Sequence, residues 1–173
     1  FPVYLVQDRG MSILKAGFVA VLPAVFGFVG GNLGGIFSDS LLKRGLSLSV
    51  ARKVPIVVGM LLSMSMVFCN YTEEEWMVIF FMALAYFGKG VGALGWAVNA
   101  DTAPKEITGL SGALFNTFGN LSSIITPIVI GYIIGVKGSF NLALVFVSLH
   151  AFLAIISYVF IVGKIQRFEL KKS

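Results

Sequence analysis

The chain has 173 residues, of which 57% are hydrophobic and only 12% charged, and its mean hydropathy is +0.93. A soluble domain carries about 25% charged residues, and a particle this small cannot bury so many apolar side chains, so part of its outside must face an apolar solvent, the bilayer. One cysteine, Cys69, and one histidine, His150, exclude a disulfide, a Cys/His zinc site and a Cys-x-x-Cys redox pair, and the net charge of +5 matters less than where the charges sit.

The opening Phe1-Pro2-Val3-Tyr4-Leu5-Val6 has no basic leader and is too short to cross a bilayer. Residues 1–6 therefore read as the end of a helix begun upstream, and the chain as a fragment. Apolar stretches follow at 14–37, 54–68, 76–99, 107–134 and 140–162, with a polar tail at 163–173. All are expected to be helical, because an open sheet cannot satisfy its backbone in lipid. The length suits six spans with short connections at about 29 residues each, and with no low-complexity linker the spans form one continuous domain. Pro23 and Pro127 fall inside spans and predict kinks.

Lys43, Arg44, Arg52, Lys53, Lys105, Lys164, Arg167, Lys171 and Lys172 lie on one face and Arg9, Lys15 and Lys137 on the other, nine against three. That bias puts the tail in the cytoplasm and Glu73-Glu74-Glu75 outside. Glycine is abundant, 20 of 173 residues against about 7% in an average protein. Gly27, Gly31 and Gly35, beside Gly30 and Gly34, form overlapping small-xxx-small ridges that let helix backbones approach closely, either for static packing or as a surface on which helices rock.

Gly90-Val91-Gly92-Ala93-Leu94-Gly95 spells a dinucleotide fingerprint, but it lies in an apolar span without the strand and acidic residue that such a turn requires. The same span places Ala85, Lys89, Gly92, Trp96 and Asn99 on one helical face. Lys89 is expected to face protein or a watery cavity, as a functional group or as a structural ion-pair partner. Trp96 reads as a cavity residue or as an interfacial belt tryptophan. A second stripe carries Gly109, Gly112, Asn116, Asn120, Ser123 and Pro127. Asn116, Thr117 and Asn120 offer donors and acceptors for hydroxyl groups, or hydrogen bonds between helices. None of the eight carboxylates sits in the middle of a span, so an embedded acid relay is not expected in this chain. His150 reads as a packed polar residue. No cluster of acids, His/Asp pair or nucleophile at one depth suggests an enzyme.

The turn Gly35-Ile36-Phe37-Ser38-Asp39-Ser40-Leu41-Leu42-Lys43-Arg44-Gly45, followed by Arg52-Lys53, resembles the signature loop of the major facilitator superfamily. Several extra residues before Arg52-Lys53 depart from that pattern and leave open which arginine answers Asp39. Phe87-Gly88-Lys89-Gly90-Val91-Gly92-Ala93-Leu94-Gly95-Trp96, Pro104-Lys105 and Gly109-Leu110-Ser111-Gly112-Ala113-Leu114-Phe115-Asn116-Thr117-Phe118-Gly119-Asn120 are similar to the anion:cation symporter branch, and within it to the bacterial D-galactonate and glucarate/galactarate carriers.

The resemblance implies an all-α transmembrane fold in which residues 1–173 form helices 7 to 12 of a twelve-helix carrier. That carrier would sit in the bacterial inner membrane and take up a sugar acid such as D-galactonate with protons, without a cofactor or metal. It implies a pocket lined by Trp96 and Asn116, joined by Lys89, Thr117 and Asn120, and a cytoplasmic gate of Asp39, Lys43, Arg44 and Arg52. Proton-coupling groups would belong to an amino-terminal six-helix half of the same protein. The expected partners are that half, the lipid bilayer and the sugar acid anion, with no nucleic acid. Export or exchange of an organic anion, or a self-contained six-helix scaffold, are the alternative readings.

Overall fold

The computed structural model describes residues 2–170; Phe1 of the opening stub and Lys171, Lys172 and Ser173 of the tail lie outside the described residues. The order is α1 (Pro2–Gln7), α2 (Ile13–Val19), α3 (Val21–Lys43), α4 (Leu48–Ser63), α5 (Glu75–Val91), α6 (Gly95–Thr102), α7 (Thr108–Lys137) and α8 (Asn141–Ile156). A 3-10 segment, Met64–Tyr71, extends α4, and a π turn, Ser157–Ile161, extends α8. The fold is all-α, with no strand among the described residues. Among the described residues, five stretches are long and apolar enough to cross a membrane: Ile13–Lys43, Leu48–Tyr71, Glu75–Thr102, Lys105–Lys137 and Asn141–Ile161.

Helix ends follow local chemistry. The Ser47 hydroxyl accepts from Val50 N–H and caps α4, so that helix begins at Leu48 and carries Arg52 and Lys53 on its first turns, six residues ahead of the apolar stretch read from the sequence. Gly45 at φ 81° closes α3, and Gly138 at φ 65° closes α7 by donating its N–H to the Ile134 carbonyl. At the end marked by Glu73–Glu75, Lys15 pairs with Glu75 at 2.6 Å. There Arg9 donates to the Tyr4 hydroxyl and to the carbonyls of Cys69 and Thr72.

The prolines act differently from one another. Pro23 was expected to kink a continuous span; instead the helix is interrupted at Ala20, and Pro23 sits in the first turn of α3. The missing N–H and the ring clash with residue i−4 explain a break at Val19–Ala20. Pro55 and Pro127 lie within α4 and α7, which run on through them. Pro55 leaves the Ala51 carbonyl without its helical donor, and the fully buried Ser38 hydroxyl of α3 supplies one at 2.8 Å.

Glycine sets the packing, with α5 lying between α3 and α4. A Cβ on Gly30 or Gly34 would overlap the Phe87 or Val91 carbonyl, and one on Gly90 would overlap the Gly27 carbonyl. On the other side Gly59 of α4 meets Gly88 and Gly92 just as tightly. Of the overlapping ridges expected on α3, Gly30 and Gly34 make the seam, whereas a Cβ on Gly31 or Gly35 would meet open space. Close backbone approach of this kind replaces the hydrophobic drive that lipid removes. A buried cluster of Tyr4, Leu5, Met66, Cys69, Val78, Met82 and Leu144 joins α1, α5, α8 and the 3-10 segment. In contrast, no residue of α7 is buried.

Candidate functional site

The span Glu75–Thr102 is not one rod. The ladder is cut after Val91: Ala93 N–H turns to the Gly90 carbonyl, Leu94 N–H to Gly92, and regular bonding resumes with Val98 N–H to Leu94. No carbonyl partner is seen for the N–H groups of Gly95, Trp96 and Ala97 among the described residues. Gly90, Gly92 and Gly95 account for the break, since each glycine weakens a helix by about 1 kcal/mol relative to alanine and here gives the close contacts that α3, α4 and α7 require. A Cβ on Gly92 would meet Met60 and Ile56 of α4, and one on Gly95 would meet the Phe115 ring. The single face expected for Ala85, Lys89, Gly92, Trp96 and Asn99 is therefore divided: Gly92 packs against α4, and the residues on either side of the break open onto different cavities.

Below the break, α6 and α7 flank an open cleft of about 570 Å³ lined by Trp96, Asn99, Ala100, Thr108, Gly109, Gly112, Ala113 and Asn116. Trp96 stands edge-on to Phe115, with ring centroids 4.9 Å apart, and lies against Gly112, where a Cβ would make ordinary contact with the indole. Ser111 donates to Asn99 Oδ1 at 2.6 Å and ties the two helices together. Trp96 remains 55% exposed. The structure thus brings Trp96 and Asn116, far apart in sequence, to one opening. Thr117 and Asn120 do not line it: the Thr117 hydroxyl donates to the Ala113 carbonyl, and Asn120 Nδ2 donates to the Asn116 carbonyl at 3.0 Å. Both spend a donor on the backbone of α7.

Lys89 faces another cavity, about 320 Å³, between α1, α5, α7, α8 and the end of α4. Its wall carries the hydroxyl side chains of Tyr4, Ser63, Tyr86 and Thr126 among apolar residues such as Met82 and Leu144. Lys89 Nζ lies 5.9 Å from the centre of the Tyr86 ring, a cation–π distance. His150 Nδ1 donates to the Phe146 carbonyl at 2.8 Å on the exposed side of α8.

At the basic end, Arg52 is the centre of a cluster. Its Nε donates to Asp101 of α6 at 2.7 Å, and its Nη1 donates to Ser38 of α3 and lies 3.6 Å from Asp39. Arg52 is 14% exposed, Asp101 24% and Asp39 64%, so the stronger bond is the one to Asp101, which was not among the expected gate residues. The sequence signal for the cluster was indirect: Pro55 orphans the Ala51 carbonyl, Ser38 answers it, and the same hydroxyl accepts from Arg52. Lys43 and Arg44 end α3 as exposed residues, and neither forms an ion pair among the described residues. The segment after α8 runs beneath the cluster. Lys53 reaches the Val162 carbonyl, Ile165 N–H donates to Ser49, Arg167 donates to the Ala100 carbonyl, and Phe168 N–H donates to Thr102.

The sequence model of the Major Facilitator Superfamily matches residues 1–171. The chain is 71% identical over 171 residues to the probable galactarate/D-glucarate transporter GudP of Escherichia coli K12, covering 99% of this chain and 38% of that protein. It is 67% identical to the GudP of Bacillus subtilis, with 99% and 38% covered, and 41% identical to a D-galactonate transporter of Escherichia coli O6:H1, with 96% and 39% covered. It thus spans about two-fifths of the length of the curated relatives it matches.

Proposed function

The chain belongs to the major facilitator superfamily, and from that premise we propose that it forms helices 7 to 12 of a twelve-helix carrier that moves a sugar acid by proton-coupled alternating access. The observation that carries the reading is that Trp96 and Asn116 line one cleft. An indole offers an apolar face to the C–H side of a polyol and one N–H donor, and a primary amide offers both donors and an acceptor to its hydroxyls. That is the complement of a flexible, hydroxyl-rich anion. Support for the substrate class comes from the relatives, which are named for galactarate, D-glucarate and D-galactonate.

The exposure of α7 supports a companion half: no residue of the helix bearing Asn116 is buried by the described elements, although Trp96 packs on Phe115 and Gly112. In this reading the substrate lies between the two halves near mid-membrane, protons enter through groups of the companion half, and the Arg52 cluster is part of a cytoplasmic latch. A latch energy of a few kcal/mol suffices to bias the two access states. The basic end then faces the cytoplasm of a bacterial inner membrane.

In the whole carrier, Trp96→Ala and Asn116→Ala should each weaken galactarate or D-glucarate binding about 10-fold, the loss expected for one stacking or hydrogen-bonding contact, with the thermal midpoint of the unliganded protein within a few degrees of wild type. Isothermal titration and thermal unfolding in detergent measure both. Unchanged affinity in both variants removes the cleft from the binding site, and absence of binding of any sugar acid by the unaltered carrier removes the substrate class.

A further inference from the structure

Lys89 differs in depth from the other basic side chains. Glu75–Thr102 has 28 residues and Lys89 is the fifteenth, so its ammonium stems from the middle of the span. The ion pairs among the described residues are Lys15–Glu75, Arg52–Asp39 and Arg52–Asp101, and Lys89 belongs to none of them. Arg9, bonded to the cavity residue Tyr4, spends its guanidinium on the Tyr4 hydroxyl and two carbonyls. Among the described residues Lys89 is exposed and has the face of Tyr86 beside it, which softens a charge but does not neutralise it. A cation at that depth calls for an anion.

We propose that Lys89 selects sugar dianions over monoanions by serving as the counter-charge for the second carboxylate of the substrate. The inference rests on the sugar-acid reading above and adds to it the residue that reads the far end of the molecule. Six residues lie between Lys89 and Trp96; an unbroken helix would set the two about 10 Å apart along its axis, the break at Gly92–Leu94 alters that spacing, and the lysine stem spans roughly 5 Å of it. The carboxyl carbons of an extended six-carbon diacid are about 6 Å apart. A diacid whose hydroxyls sit at Trp96 and Asn116 therefore reaches the ammonium with its far carboxylate. Ala93, between Lys89 and Trp96, is exposed as they are, so one open face of the span runs from the first cavity to the second. A monoacid of the same length presents a neutral CH2OH group at that end, which gains a hydrogen bond from Lys89 but no charge pairing.

The test compares galactarate with galactonate, which differ only at that terminus, in the whole carrier. Unaltered protein should bind galactarate more tightly, and Lys89→Met, which keeps a flexible stem without charge, should weaken galactarate binding about 10- to 100-fold while galactonate affinity changes less than about 2-fold. Lys89→Arg should retain the preference. Equal losses for the two ligands, or no change in either, overturn the proposal and point to a structural ion pair with another part of the carrier. Should Lys89→Met fail to fold, the unaltered protein still decides: equal affinity for the two ligands overturns it. Binding of neither ligand by the unaltered carrier would sink the sugar-acid reading itself, and this proposal with it, whereas binding of both without discrimination sinks this proposal alone.

Discussion

Arg52 shows how burial and distance rank two carboxylates that look equivalent in sequence. Asp39 belongs to the turn that resembles a family signature, yet it is mostly exposed and 3.6 Å away, where an ion pair contributes about 0–1 kcal/mol. Asp101 is three-quarters covered, accepts from Nε at 2.7 Å, and shares Arg52 with a fully buried hydroxyl. Asp101→Asn should therefore destabilise the carrier by about 1–3 kcal/mol, between the exposed and the buried limits, and Asp39→Asn by less than about 1 kcal/mol. Thermal or denaturant unfolding in detergent checks the order, and a larger effect at Asp39 would contradict it. The importance of Asp101 was not legible in the sequence, because its partner lies 49 residues away on another helix. Trp96 and Asn116 stand out in the sequence because an aromatic ring or an amide amid small residues inside an apolar span needs a reason to be there, and the structure puts both at one cleft.

At the level of helices, the glycine seam is where a single methyl group matters most. Gly30→Ala would press a Cβ into the Phe87 carbonyl, with backbone on both sides and no flexible side chain to yield. The expected cost is about 1–3 kcal/mol, whereas Gly31→Ala, one position on and facing open space, should be neutral to slightly stabilising. Unfolding of the two variants side by side measures the seam directly. The sequence showed that such a seam existed but not which ridge formed it, because Gly27, Gly30, Gly31, Gly34 and Gly35 are all small and only the partner helix chooses among them. The same limit explains the divided span Glu75–Thr102. Its five-residue face was read by extending one helical period through Gly92, and a run of glycines dense enough to permit close packing also lets the period lapse. The extents of the other spans were largely legible from apolar length, although Ser47 and the helix-forming basic residues after it carried α4 beyond its apolar stretch.

For the molecule as a whole, the segment after α8 is a strap that ties helices together at the basic end. Ile165 is 2% exposed and its N–H is bonded to Ser49 of α4, while Arg167 and Phe168 hold carbonyls of α6 and its last residue. Ile165→Asp should lower stability by about 2–3 kcal/mol, the sum of lost apolar burial and an added buried charge that must find solvent. It should also make the amides of α6 exchange with deuterium faster than those of α5. Exchange rates unaltered in α6 would mean that the strap merely lies on the surface.

The interruption at Gly92–Leu94 has a consequence for how such a bundle moves. A continuous rod gripped by glycines on two sides transmits any tilt at one end to the other, and swinging it would mean tearing backbone from backbone. Severed about two-thirds of the way along, the span has a short lever, α6, that can swing with α7 while the long lever stays seated, and no ladder bond is sacrificed in the swing.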